Sequence, residues 1–311
     1  MNQHDIAQSS QTEWMGQEIF CYNTLDSTNV KAKELAEEGY PSGTLVIAES
    51  QTAGRGRRGR DWNTQEGTGI FMSFILKPEL TSEPAEQNQP GLTSAHAEQN
   101  QSGLISASAE QNQPGIALVP VQQNQSGLTI ENASMVTLVC ALAVSMGISQ
   151  VTGAEAQIKW PNDIVMNGRK ICGILTEMSV VSGKVGHVVV GIGINVSNLQ
   201  FPEEIANTAG SLYTETGKFF QRAEIVGAIL EKFETYYALF LKTQDLSLMQ
   251  EEYNGLLANR NREVRVLDPR EPFEGKALGI TEKGELIVET PQGKQMVSGG
   301  EVSVRGIYGY V

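Results

Sequence analysis

Gln157-Ile158-Lys159-Trp160-Pro161-Asn162-Asp163-Ile164-Val165-Met166, then Asn167-Gly168, then Arg169-Lys170-Ile171-Cys172-Gly173-Ile174-Leu175-Thr176-Glu177-Met178, is the stretch that decides the fold. Two apolar-rich runs separated by Asn-Gly predict a β-hairpin, because both central turn positions need positive φ and asparagine and glycine tolerate it. A second turn near Ser182-Gly183-Lys184 leads into Gly186-His187-Val188-Val189-Val190-Gly191-Ile192-Gly193-Ile194-Asn195-Val196, so three antiparallel strands are expected in succession. A two-residue first turn pairs Val165 with Lys170 and Asp163 with Cys172. The predicted ligand face then carries Lys159, Pro161, Asp163, Val165, Lys170, Cys172, Ile174, Gly191, Gly193 and Asn195. Its opposite face carries Ile158, Trp160, Ile164, Met166, Ile171, Leu175, Val188, Val190, Ile192, Ile194 and Val196, for packing against helices. Asn162 falls on that apolar face unless Pro161 introduces a bulge.

Upstream, the apolar run Thr44 to Ala48 feeds directly into Gln51-Thr52-Ala53-Gly54-Arg55-Gly56-Arg57-Arg58-Gly59-Arg60. Glycines that let backbone N–H groups approach a ligand, interleaved with permanently charged guanidiniums, make a cradle for phosphate or carboxylate. The spacing satisfies G-x-G-x-x-G, but no helix pattern follows at once. Asp61-Trp62-Asn63 leads instead to the strand-like Ile70 to Leu76, which argues against a dinucleotide fold. A net charge of -13 opposes a polyanionic partner, so a small anion is expected rather than nucleic acid.

The remaining composition mainly excludes. The three cysteines, Cys21, Cys140 and Cys172, lie far apart, against a disulfide framework or zinc knuckle. His187 is the only histidine in well-patterned sequence, so a multi-histidine metal centre is not expected. No G-x-x-x-x-G-K-[ST] loop occurs. With a polar N-terminus and no run of about eighteen apolar residues seen, the chain reads as cytoplasmic, with no membrane partner. Asp26-Ser27-Thr28-Asn29 heads a helix pattern stopped by Gly39, and capping alone would account for these residues. Gln-Asn-Gln recurs every twelve residues at 87, 99, 111 and 123, within an expected flexible insertion over 82–131. A helix over Ala133 to Gly147, apolar nearly all round, is expected to be buried. Amphipathic helices follow over Ala223 to Thr243 and around Leu246 to Leu257. Short alternating runs beyond Asn259 predict a small β-barrel acting as a cap or docking module.

Ser27-Thr28-Asn29, Gln51 through Arg60, Trp62, Lys159 through Asp163, Lys170 with Gly173-Ile174-Leu175, and Gly191 through Asn195, in this order and spacing, resemble the biotin protein ligases. The resemblance implies an α+β fold: a mixed, mostly antiparallel sheet packed with helices, of the class II aminoacyl-tRNA synthetase and biotin ligase type, plus a C-terminal SH3-like barrel. The implied domains are a disordered tail over 1–18, a catalytic domain over 19–258 and the barrel over 259–311. Biotin and ATP are the implied substrates, accompanied by Mg2+, with a carboxylase's biotin carboxyl carrier domain as acceptor. Ser27, Thr28, Asn29, Gln51, Arg55, Gly56, Arg57 and Lys170 are implied around biotin. Arg57, Arg60, Trp62, Lys159, Asn162 and Asn195 are implied around the adenylate. Lys170 and Asp163 are the candidate catalytic groups, and no protein metal ligands are expected. A monomer or homodimer without a DNA partner is expected. Lipoate ligation, or biotin binding without transfer, are the competing readings.

Overall fold

The computed structural model describes residues 1–62, 64–78, 127–268, 271–299, 303–307 and 310–311. Within them a seven-stranded sheet runs in the order β1-β2-β3-β7-β6-β5-β4. Its strands are β1 Ile19–Leu25, β2 Leu45–Gln51, β3 Gly69–Leu76, β4 Gln157–Lys159, β5 Asp163–Met166, β6 Arg169–Val181 and β7 Lys184–Asn195. Only β1 and β2 are parallel, with helix α2 (Thr28–Glu37) lying between them in sequence. The sheet is therefore mixed and mostly antiparallel. The repeats up to residue 126 lie outside the described residues. Residues 127–131, inside the expected insertion, are described, and Leu128 is buried in the core.

Alternation along the strands divides the sheet into a core face and a site face. Met72 and Phe74 of β3, Cys172 and Ile174 of β6, and Val190, Ile192 and Ile194 of β7 enter a common core with helices α3 (Val136–Thr152) and α5 (Arg222–Thr243). A Cβ at Gly147 would come 2.9 Å from the Ile229 backbone, so glycine there permits the close crossing of these two helices. With its preceding turn, α3 is long and apolar enough to cross a membrane, mean hydropathy 1.8 over Ala133–Thr152. That corrects the reading that no such run exists, but this helix is mostly buried inside the protein. On the site face, α2 packs Ala32 and Leu35 against Val46, Ile75 and Val189.

Several sequence expectations change here. Residues 1–18 are no disordered tail: helix α1 (Gln3–Gln8) is opened by a capping box between Asn2 and Asp5, and Ile6 and Met15 are fully buried in the core. Met1, Ile6-Ala7 and Trp14-Met15, scattered among polar residues, carry no helix or strand period. Gln157 to Met166 is not one strand, since the chain reverses at Trp160-Pro161-Asn162 and Lys159 pairs with Asp163. Proline has no N–H for a ladder and sits instead in the turn, which takes Pro161 off the strand face and Asn162 off the apolar one. The Asn167-Gly168 turn does pair Val165 with Lys170, but Asp163 pairs with Gly173 and Ile164 with Cys172.

The cause is a β-bulge that leaves Ile171 as an extra residue in β6. Lys170 bonds outward instead, its N–H donating to Thr208 O (2.7 Å) and its carbonyl accepting from Gly210 N (2.9 Å). The bulge reverses the alternation, so Cys172 and Ile174 turn to the core while Gly173 and Leu175 join Lys170 on the site face. Gly173 and Leu175 sit opposite Gly193 and Gly191.

Beyond α4 (Leu212–Thr216) and α6 (Gln250–Leu256), strands β8 Glu263–Leu267, β9 Phe273–Ile280, β10 Leu286–Thr290, β11 Gly293–Val297 and β12 Ser303–Gly306 form a five-stranded antiparallel sheet. Its order is β11-β10-β9-β8-β12. Trp160 Nε1 donates to Gly284 O (3.0 Å), tying the β4–β5 turn to this second sheet.

Candidate active site

Glycines on β6 and β7 leave a floor without side chains. A Cβ at Gly193 would lie 2.6 Å from the Trp62 ring, one at Gly173 2.8 Å from it, and one at Gly191 would overlap Asn29 Oδ1. Over this floor two cavities meet. The larger, about 410 Å3, is lined by Arg60, Lys159, Asp163 and Asn195 among others. The smaller, about 40 Å3, is lined by Ser27, Thr28, Asn29, Gln51 and Arg55. Gly56, Arg57, Trp62, Asn162 and Lys170 line both and mark the junction. Every residue that the resemblance implied for the site therefore lines one cavity or the other, whereas Val165 and Cys172 of the expected ligand face line neither. His187 lines neither.

The arginine loop is a short turn between two strands, not the start of a helix. Gly56 N donates to Arg60 O (2.7 Å), Trp62 N donates to Gly54 O (3.0 Å), and Arg58 adopts φ 61°. Arg57 fastens it across the cavity mouth, donating to Asn162 Oδ1 (2.8 Å) and to Gly299 O (2.6 Å). Asn162 is fixed in turn by its Nδ2 donating to Ile174 O (3.0 Å). Burial lowers the Arg57 pKa, partly opposed by the charge of Asp163. A guanidinium held in a poorly solvated place will gain strongly from an anion.

Ser27 stands at the N-cap of α2, but its side chain makes no capping bond. The helix end is served differently: Thr28 N donates to Gln51 Oε1 (2.8 Å), reaching from β2. Capping alone thus fails to account for Ser27-Thr28-Asn29. Thr28 and Asn29 are almost fully buried and meet Ser73 of β3, itself completely buried.

At the other end a single carboxylate organises the cations. Asp163 Oδ1 pairs with Lys170 Nζ at 2.7 Å, and Oδ2 accepts from the Tyr310 hydroxyl at 2.5 Å. Burial alone would raise the Asp163 pKa, but Lys170, Lys159 and the hydrogen bonds from Lys170 and Tyr310 hold it below the usual carboxylate value. Lys159 is about 4% exposed. Burial brings its pKa down to about 8 despite the attraction of Asp163. Its ammonium lies 4.2 Å from the Tyr310 ring centroid, and that of Lys170 lies 5.2 Å from the Trp62 ring.

Sequence reasoning missed Ser73, Tyr310 and the 198–209 segment. Ser73 left one signal, a lone polar residue in an apolar run. Asn198, Phe201, Pro202 and Ile205 also line the larger cavity, as do Arg305 and Tyr310 of the C-terminal segment. Nothing in their local pattern marks them.

A glycine-floored sheet, an arginine loop and two adjoining cavities, one small and polar and one large and cationic, suit a protein that holds two anionic ligands side by side. Residues 21–100 and 110–195 match the Biotin/lipoate A/B protein ligase family, and residues 261–305 match the Biotin protein ligase C terminal domain. The chain is 34% identical over 308 residues to the Bifunctional ligase/repressor BirA of Bacillus subtilis, covering 98% of this chain and 79% of that one. It is 27% identical to the Biotin--[acetyl-CoA-carboxylase] ligase of Paracoccus denitrificans, covering 90% and 98%. Its fold matches the Biotin protein ligase from Aquifex aeolicus in complex with biotin and ATP with a TM-score of 0.68 and 27% identity, over 93% of this chain and 99% of that one. The chain belongs to the biotin protein ligase family.

Proposed function

We propose that the chain joins biotin to ATP as biotinyl-5'-adenylate, releasing pyrophosphate. It then passes the biotinyl group to a lysine of the biotin carboxyl carrier domain of acetyl-CoA carboxylase. The observation that carries this reading is the junction of the two cavities at Lys170, Arg57 and Trp62. Biotin's ring system lies in the smaller, with Ser27, Thr28, Asn29, Gln51 and Arg55. Its carboxylate lies at the junction with Gly56, Arg57 and Lys170. ATP lies in the larger, its phosphates toward Arg60 and Lys159, and Asn162 and Asn195 beside the nucleoside. A carboxylate oxygen attacks the α-phosphorus and the bond to pyrophosphate breaks. The cations offset the repulsion between two anions and the charge on the leaving group. Asp163 positions Lys170. The acceptor amine then attacks the acyl carbon and AMP leaves with its bonding electrons, the amine proton passing to solvent.

At about 40 Å3 the smaller cavity accommodates no bicyclic ligand while the Trp62 ring covers Gly173 and Gly193. Entry of biotin therefore moves Trp62 and the loop that carries it. Among the described residues no three His, Cys, Asp or Glu side chains cluster to hold a metal ion, and Asp163 is engaged by Lys170 and Tyr310. This donor set does not fit a protein-held Mg2+. The ion is proposed as a companion of the ATP phosphates, and no step is routed through it. The division into a catalytic domain over 19–258 and a C-terminal domain over 259–311 is likewise proposed, supported by the second sheet that begins at Glu263.

Release of pyrophosphate from ATP that requires biotin but no carrier domain is the expected behaviour; release indifferent to biotin contradicts the reading. The same assay carries a pH signature. Lys159, with its pKa lowered to about 8 in the free protein, is charged below that pH and neutral above it. Phosphates favour the charged form, so above pH 8 binding must first take up a proton. ATP affinity is expected to be level below about pH 8 and to fall about tenfold per unit above it, until the pKa of the bound state is reached. Asp163, Arg305, Lys170 and Arg60 also act on Lys159, and Tyr310 faces it. Tyr310 stays neutral because burial and Asp163 raise its pKa. Lys159→Arg should flatten the profile, and a parent profile already flat to pH 9.5 would remove Lys159 from the phosphate site.

A further inference from the structure

Lys159 and Asp163 are direct partners across the β4–β5 turn, and both line the larger cavity. A lysine and a carboxylate opposite one another in a poorly solvated place should form an ion pair. They do not. Asp163 Oδ1 pairs with Lys170 Nζ at 2.7 Å, and among the described residues Lys159 has no ion pair. Tyr310 stands where that pair would form. Its hydroxyl donates to Asp163 Oδ2 at 2.5 Å, and its ring centroid lies 4.2 Å from Lys159 Nζ. One side chain thus takes the oxygen that Lys159 would take and offers Lys159 a neutral π face instead.

The charge balance explains what this achieves. A phenol satisfies one carboxylate oxygen without adding charge, and Tyr310 stays neutral because burial and Asp163 raise its pKa. Asp163 is therefore balanced by one lysine rather than two, and the charge of Lys159 is left for a ligand. The same ring faces the Arg305 guanidinium, 5.2 Å from its centroid, a second cation that lines the cavity. Tyr310 is delivered here by the chain that follows β12, where Val304 is buried and pairs with Val266 of β8. A phosphate entering the cavity meets an ammonium that no carboxylate neutralises. With Lys159 paired to Asp163, the phosphate would first have to displace that carboxylate.

We propose that Tyr310 is a positioning residue that reserves Lys159 for the phosphates of ATP, by occupying the Asp163 oxygen with which Lys159 would otherwise pair. It acts through Lys159 and Asp163, and its hydroxyl rather than its ring is the operative group. The inference rests on the larger cavity as the site of the ATP phosphates. Arg305, Lys170 and Arg60 also act on Lys159, and replacing the hydroxyl leaves all three in place.

Tyr310→Phe tests it, since phenylalanine keeps the ring over Lys159 and removes only the hydroxyl. Two measurements on the full chain are needed. In the ligand-free protein, Lys159 is titrated by NMR with 13C-labelled lysine, its signal assigned by its loss in Lys159→Arg. Burial holds the parent value at about 8. Pairing with the released Asp163 oxygen should raise it in Tyr310→Phe to about 9 or above. Calorimetry then gives ATP affinity against pH. At pH 7 the variant should bind about fivefold or more weakly than the parent, because Lys159 must leave a carboxylate. Above pH 8 the parent falls about tenfold per unit while the variant stays nearly level, so the curves cross and the variant is the tighter binder at pH 9.5. A Lys159 that titrates in Tyr310→Phe as in the parent overturns the proposal. So does a variant weakened equally at every pH, the mark of a merely structural role. A Lys159 value that rises as expected, beside a parent ATP affinity flat to pH 9.5, supports the shielding of Lys159 and overturns the placement of the phosphates.

Discussion

Lys170→Met is expected to weaken biotin and biotinyl-adenylate binding by roughly thirty-fold or more. Methionine keeps an unbranched apolar stem of similar length in β6, so the strand's packing survives and the charge alone is lost. Lys170 is anchored on both sides, by its backbone bonds to Thr208 and Gly210 and by its ion pair with Asp163 at 2.7 Å. Losing a charge-assisted bond to the ligand carboxylate in a largely desolvated site costs about 2 to 5 kcal/mol. Each 1.4 kcal/mol is a factor of about ten. Titration calorimetry gives the affinity, and a cooperative melt at the parent temperature separates loss of binding from loss of fold. A Lys170→Met protein that binds both ligands as the parent does would put the site on the wrong face of the sheet.

Gly191→Ala should be almost as damaging through shape alone. Gly191 pairs with Ser73 across β3 and β7 and with Leu175 across β6. A methyl there would overlap Asn29 Oδ1, the atom through which Ser73 is held. Overpacking of this kind costs about 1 to 3 kcal/mol, which places the expected loss of biotin affinity near 5- to 150-fold. The loss should fall on biotin and spare ATP, because Asn29 lines only the smaller cavity. Equal losses for both ligands would show that the substitution distorts the sheet as a whole.

The sequence made the sheet legible where local chemistry dictates structure. Asn167-Gly168 sets its turn because its positive φ values, 51° and 78°, are ones that few other pairs tolerate. Glycines at 191 and 193 mark the floor because a central strand gains nothing from glycine unless something must approach. The alternation failed at Ile171, since the bulge arises from Lys170 bonding to a segment almost forty residues downstream, and no local pattern encodes that partner. β1 was missed because Ile19–Leu25 is an edge strand with only one fully buried residue, a pattern close to that of a loop. The site showed the same division. Motif residues in the two loops and the hairpin could be named from type and spacing. Asn198 and Tyr310 reach the larger cavity, and Ser73 reaches Thr28 and Asn29 behind the smaller one, through tertiary packing alone.

Mass spectrometry of a biotin carboxyl carrier domain, after incubation with the protein, biotin and ATP, tests most directly whether one site joins biotin to ATP and delivers the product to a carrier lysine. The expected spectrum shows one biotinyl group on one lysine, dependent on ATP, and strongly reduced with Lys170→Met under limiting biotin. A carrier domain that stays unmodified while the protein binds biotin, or a protein that modifies its acceptor with lipoate only, would contradict it.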